Sequence, residues 1–110
     1  HFAGAFPLWL APEQVRVIPI SDKFTGYAQK VAERLQKEGI RVFLDDDSES
    51  LGKRIRNGEK LKVPIIMVVG EKEQASESVS IRRHSVSDQG SKPLDQTLGM
   101  LLEEISTRAI

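Results

Sequence analysis

The hydrophobic pattern changes character along the chain, and its clearest stretch lies between residues 62 and 83. The run Val63-Pro64-Ile65-Ile66-Met67-Val68-Val69 is apolar at both parities, as in a strand covered on two faces. Ser78-Val79-Ser80-Ile81-Arg82 alternates instead, as in a strand with one wet face. The pair predicts a central strand and an edge strand, joined by a sharp exit at Gly70 and a charged turn, Glu71-Lys72-Glu73. With Val79 and Ile81 pointing inward, Ser80, Arg82 and His84 share the opposite, exposed side of the edge strand. A ligand is expected on that side.

Upstream, Val15 to Ile20 predicts a first strand ending in the turn-and-cap pair Ser21-Asp22. From Lys23 to Glu38, Tyr27, Val31 and Leu35, flanked by Ala28 and Ala32, repeat at helical spacing, and Gly39 suits the left-handed position that closes a helix. Ile40 to Leu44 is a second strand, so the three pieces form a right-handed βαβ unit with parallel pairing. Ser48 or Ser50 caps a second helix through Leu51 and Ile55, weakened and shortened by Gly58. After the edge strand, Ser85 to Lys92 reads as a polar loop, and Pro93 opens a last helix with the stripe Leu94, Leu98, Leu101, Leu102 and Ile105. At the start, Phe2, Phe6 and Trp9 lie in a segment broken by Pro7 and Pro12, expected to be irregular with its aromatics tucked against a surface. The order β-α-β-α-β-β-α predicts an α/β fold: a single three-layer sandwich around a mixed, mostly parallel sheet with one antiparallel edge strand. In such sheets ligands gather beyond the carboxyl ends of the strands, here Pro19-Ile20-Ser21, Leu44 to Asp47, and Val69-Gly70-Glu71.

Length and composition narrow the picture. A chain of 110 residues supports one core and no cleft between two lobes. No apolar run approaches the ~20 residues of a membrane span, so no membrane is expected as a partner. The first residues carry neither an initiator methionine nor a secretory signal, and the chain is expected to be a fragment of a longer protein. The absence of cysteine removes disulfides, thiolate chemistry and cysteine-ligated zinc. A net formal charge of zero counts against indiscriminate gripping of polyanions. Charge is nevertheless segregated: Asp45-Asp46-Asp47 and Glu49 precede Lys53, Arg54, Arg56, Lys60 and Lys62. That basic run is either a local ridge on a neutral domain or the solvated face of a short helix.

Three constellations could carry chemistry. The aspartates at 45 to 47 suit a hard cation such as magnesium, or a phosphoryl acceptor, but the first strand ends without an acidic partner, and Asp47 and Glu49 also suit a helix N-terminus. For catalysis the inventory is thin: His84 is the only internal histidine, no serine sits in a Gly-x-Ser-x-Gly elbow, and no glycine-rich loop precedes a helix, so neither catalytic nor metal residues are assigned. Arg82 is more pointed. A guanidinium fork matches the two acceptors of guanine and a nearby glutamate accepts from base amino or imino groups, so the pair can read unstacked RNA bases.

Phe6-Pro7-Leu8-Trp9-Leu10-Ala11-Pro12-Glu13-Gln14-Val15, Gly39-Ile40-Arg41-Val42, Leu51-Gly52-Lys53-Arg54-Ile55-Arg56, and Val63-Pro64 continuing through Val68-Val69-Gly70-Glu71-Lys72-Glu73 to Ser80-Ile81-Arg82-Arg83 resemble the C-terminal anticodon-binding domain of class II threonyl-tRNA synthetases over nearly the whole chain. The resemblance implies a sheet of four to five strands, the fifth near Asp88 to Ser91, with three helices. It implies that Arg82 meets the middle-base guanine with Glu73 beside it, and that Arg56 and Lys62 are basic contacts to the anticodon loop. Where the family often carries Arg-Asn-Glu-Lys, this chain has Asp47-Ser48-Glu49-Ser50, so Ser48 and Ser50 stand at two base-contacting positions in shortened form. Lys62 likewise stands where arginine is common, and a lysine forms no planar fork. Residues 1–12 would then be a linker from an upstream catalytic domain and residues 13–110 the anticodon-binding domain. The fragment would need no cofactor of its own, while the parent ligase would use ATP, magnesium and zinc. The partners implied are the threonine-isoacceptor tRNA and the upstream domain, with a homodimeric parent, a monomeric fragment and a cytoplasmic location, although mitochondrial enzymes of this type carry the same domain. Two rivals stay open: a protein-interaction module of the same fold that reads no RNA, and a magnesium-dependent phosphoacceptor using Asp45 or Asp46.

Overall fold

The computed structural model of the chain describes residues 8–46, 49–83 and 88–107. Its strands are β1 (Val15–Pro19), β2 (Val42–Leu44), β3 (Ile65–Val69), β4 (Ser78–Arg83) and β5 (Asp88–Pro93); its helices are α1 (Thr25–Lys37), α2 (Leu51–Lys60), α3 (Glu71–Ser76) and α4 (Leu94–Ser106). The strands form one sheet in the order β2-β1-β3-β4-β5. β1 pairs in parallel with β2 and β3, whereas β3 with β4 and β4 with β5 are antiparallel. The α/β class and the mixed sheet are as expected, and the fifth strand lies where the resemblance placed it.

One expectation fails here: β4 is not an edge. The polar stretch read from periodicity as a loop supplies β5, which hydrogen-bonds along the far side of β4. β4 nonetheless keeps one wet face, because a strand inside a sheet can lack cover above it as well as beside it.

Three layers result. On one face, Val15, Val17, Ile65, Met67, Val69, Val79 and Ile81 meet Ala28, Val31, Ala32 and Leu35 of α1 and Leu98 and Leu101 of α4. Burial of each such aliphatic side chain is worth roughly 1.5–3 kcal/mol, so this face supplies most of the cohesion. On the other face lies α2, which turns Arg54 and Gly58 to the sheet. Gly58, expected to weaken this helix, is what seats it. A Cβ there would come within 3.0 Å of Ile66 Cδ1 and 3.3 Å of Arg16 Cδ, and the helix runs its full ten residues.

Local chemistry sets the ends. A 3₁₀ turn at Asp22–Phe24 precedes α1, which therefore begins two residues later than its apolar spacing suggested. Gly39 takes φ +86° just beyond α1, as its position predicts. Ser50 caps α2 by accepting the Lys53 N–H at 3.3 Å, while Ser48, its rival for that role, lies outside the described residues. Ahead of β1, a 3₁₀ turn at Leu8–Leu10 buries Leu8 in the main core, and Gln14 ties the segment down by donating to the Leu8 carbonyl (2.9 Å) and accepting from the Arg41 N–H (2.8 Å). Phe2 and Phe6 lie outside the described residues. The expected turn at Glu71-Lys72-Glu73 is instead the six-residue α3, started by Glu73 Oε1 accepting from the Gly70 N–H at 2.8 Å and closed by Glu77 at φ 50°.

Candidate nucleic-acid interface

α2 covers only part of its side of the sheet. The register sets Ile66 opposite Arg82, Val68 opposite Ser80, and Ser80 opposite Ser91. Directly paired residues project to the same face, so Arg82, Ser80 and Ser91 lie on the side where Ile66 meets α2. On that face Ser80 and Arg82 are half-buried and Ser91 is exposed, with Glu73 of α3 bonded to the Ser91 hydroxyl.

Arg82 differs from the other arginines of the sheet region. Its guanidinium has no ion-pair or hydrogen-bond partner among the described residues. The adjacent Arg83 points to the opposite face and donates two bonds to Glu104 of α4, at 3.1 and 2.7 Å. Arg16 is buried, forked onto Glu13 at 2.8 and 3.0 Å, 3.5 Å from Asp45 Oδ2 and stacked 4.6 Å over the Phe43 ring. Arg54, expected in the basic ridge, is 5 % exposed and donates to the Asp45 carbonyl at 3.3 Å, so it leaves that ridge.

Glu73 is held at both oxygens. Oε1 takes the Gly70 N–H and Oε2 takes the Ser91 hydroxyl at 3.1 Å. Ser91 faces Ser80, and Arg82 follows Ser80 by two residues, about 7 Å along the strand. The structure thus sets Arg82 on the same sheet face as Ser91, the residue that holds Glu73.

The remaining candidates are placed less centrally. Lys62 is exposed, takes φ 59°, and precedes by three residues Ile65, which pairs with Arg83, so it stands near the Arg82 end of β4. Arg56 is exposed on α2, whose Arg54 and Gly58 turn to the sheet. Ser50 sits at the start of α2, about 15 Å of helix from Lys60, with its hydroxyl engaged as a cap. Ser48, Asp47 and His84 lie outside the described residues. The acidic knot does not act as one group: Asp45 is buried beside Arg16 while Asp46 is exposed. Among the described residues no group of three or more His, Cys, Asp or Glu could hold a metal ion, and no helix is long and apolar enough to cross a membrane.

Sequence reasoning put Ser80 on the exposed side with Arg82 but passed over Ser91, because a serine in a polar stretch carries no periodic signal. It also missed a groove of about 540 Å³ lined by Lys23, Gly26, Tyr27, Lys30, Gln74 and Glu77, between α1 and α3. There the Tyr27 hydroxyl donates to the Ser78 carbonyl at 2.7 Å, and burial, then Glu77 and Glu73, raise its pKa above the usual value.

With this geometry in hand the class is settled: the chain belongs to the anticodon-binding domain family, whose model, described as "Anticodon binding domain", matches residues 14–104. Within that family it is similar to threonine–tRNA ligases. The ligase of Gloeobacter violaceus is 48% identical over 110 residues, covering 98% of this chain and 18% of the relative, and that of Caldanaerobacter subterraneus is 49% identical, covering 100% and 17%. The chain therefore spans less than a fifth of the length of these relatives. Among solved structures, the RNA binding domain of threonyl-tRNA synthetase from Cryptosporidium parvum superposes with a TM-score of 0.87 at 29% identity, over 94% of this chain and 26% of that one. Prolyl-tRNA synthetase from the same organism shares the fold, with a TM-score of 0.80 at 23% identity over 94% and 24%.

Proposed function

We propose that the chain is the anticodon-reading part of a threonine–tRNA ligase, holding the anticodon loop of a threonine tRNA on the open half of its sheet. The observation that carries this reading is the Arg82 guanidinium, without a partner among the described residues, on the same sheet face as Ser91, which tethers the Glu73 carboxylate. Arg82 offers parallel N–H donors to guanine O6 and N7, and Glu73 accepts from amino or imino groups of the same base. Lys62 and Arg56 supply positive charge to backbone phosphates. The positions of Ser50 and Ser48 are assigned to the next base by the family resemblance alone, and serine there makes a weaker contact than a longer donor would.

Binding energy at such a site serves orientation, since a correctly held anticodon sets the acceptor end against a distant catalytic centre. In this reading residues 1–12 lead from an upstream catalytic domain, and residues 13–110 carry no catalytic group. On the same reading, the ATP, magnesium and zinc of the whole enzyme belong to regions of the relatives that this chain does not span. The whole enzyme works as a cytoplasmic homodimer, and the chain alone is a monomer.

Fluorescence anisotropy with a labelled threonine anticodon stem-loop tests the reading. Arg82→Ala is expected to weaken cognate binding by ~1–3 kcal/mol and to relax discrimination at one base, whereas Lys53→Ala weakens all sequences slightly. Equal losses for cognate and base-substituted loops would overturn the assignment of Arg82. If the unmodified chain shows no salt-dependent binding even at low ionic strength, a protein-interaction role for the fold replaces RNA reading.

A further inference from the structure

We infer that Ser91 is a positioning residue for base recognition, fixing the Glu73 carboxylate on the open face, and that the bulge at Gly90 exists in the fold to put its hydroxyl there. The inference rests on the reading of Arg82 and Glu73 just given and adds a residue to it.

The register carries the argument. Arg82 stands opposite Asp88, so regular antiparallel pairing would set Gly90 opposite Ser80 and turn Ser91 to the core side. The observed partner of Ser80 is Ser91, because β5 holds one residue more than β4 between those two points. Gly90 absorbs the extra residue at φ +81°, a conformation that glycine adopts without strain. The slip replaces a position without a side chain by a hydroxyl on the open face, and that hydroxyl donates to Glu73 Oε2 at 3.1 Å.

Ser91 is exposed and takes no part in the main core, so packing does not account for it. Its effect is on Glu73. With only the Gly70 N–H on Oε1, the carboxylate could pivot about that bond; the second bond on Oε2 fixes its plane. Each carboxylate oxygen retains acceptor capacity after one bond, so the fixed group can still take the N1–H and amino N–H of a guanine whose O6 and N7 face Arg82. A preset acceptor loses less conformational freedom on binding than a mobile one.

The test compares stem-loops carrying guanine or inosine at the middle anticodon base, since inosine lacks only the amino donor. The full chain and its Ser91→Ala, Ser91→Thr, Glu73→Gln and Arg82→Ala variants are titrated by anisotropy, with the Gly70 amide followed by ¹H–¹⁵N NMR. Ser91→Ala is expected to reduce the preference for guanine over inosine about five- to tenfold, with Ser91→Thr restoring it. The Gly70 amide resonance should move in Ser91→Ala and return in Ser91→Thr. If Ser91→Ala weakens both loops equally, or leaves the preference intact while Glu73→Gln abolishes it, the role of Ser91 is overturned and the Arg82–Glu73 reading stands. If Glu73→Gln leaves the preference intact and Arg82→Ala leaves the affinity for both loops unchanged, that reading falls, and this inference with it.

Discussion

The two halves of this sheet treat the same residue type in opposite ways. In the parallel half, β1 and β3 are covered on both faces, and Arg16 is enclosed between Glu13, Asp45 and the Phe43 ring with its side chain 8 % exposed. In the antiparallel half, β4-β5, only the face toward α4 is covered, and Arg82 presents a guanidinium without a partner among the described residues. An arginine enclosed by carboxylates has its donors committed and holds the layers in register, whereas one left on an uncovered strand keeps its donors for an incoming group. Burial and pairing, more than residue type, separate the scaffold from the candidate site.

The comparison can be broken most severely at Arg16. Arg16→Ala removes the guanidinium from the buried Asp45 and from Glu13 and is expected to cost about 3–5 kcal/mol in urea unfolding. Next comes Gly58→Val, which pushes α2 off Ile66 and Arg16 and should cost about 2 kcal/mol by overpacking, measured the same way. A smaller effect is expected from pH. The raised pKa of Tyr27 means that the unfolded chain loses this proton first, so stability is complete below about pH 10 and declines as pH rises through the folded-state value. Tyr27 is the only tyrosine, so absorbance at alkaline pH reports it directly, and Tyr27→Phe should remove its part of the decline. The smallest effect sharpens the contrast: Arg82→Ala should change the unfolding free energy by no more than about 0.5 kcal/mol while altering RNA binding. A large loss of stability in that variant would place Arg82 with Arg16 as a structural residue.

What the sequence made legible follows from where packing leaves a periodic trace. The apolar run at 63–69 and the helical spacing from Tyr27 to Leu35 mark surfaces buried on two faces and on one face, and both became the expected elements. β5 left no trace because Asp88-Gln89-Gly90-Ser91-Lys92-Pro93 contains no apolar or β-branched residue, and backbone pairing to β4 holds it in place. α3 was hidden for the same reason, having no buried residue in its six positions. Gly58 was misread because propensity penalises glycine in a helix, whereas contact with the sheet demands it. At the site, alternation alone put Arg82 on the open face. The tie between Glu73 and Ser91 depends on a one-residue slip that no pattern of polar and apolar positions encodes.

Each border of the sheet also carries its own guard against self-association. β2, at one border, is only three residues long, too short to template another chain, and β5, at the other, combines a kink at Gly90 with Lys92 and an imide nitrogen at Pro93 that donates no bond. A domain whose sheet is less covered over its antiparallel half thereby avoids presenting a long, flat ribbon on which neighbouring copies could stack into aggregates.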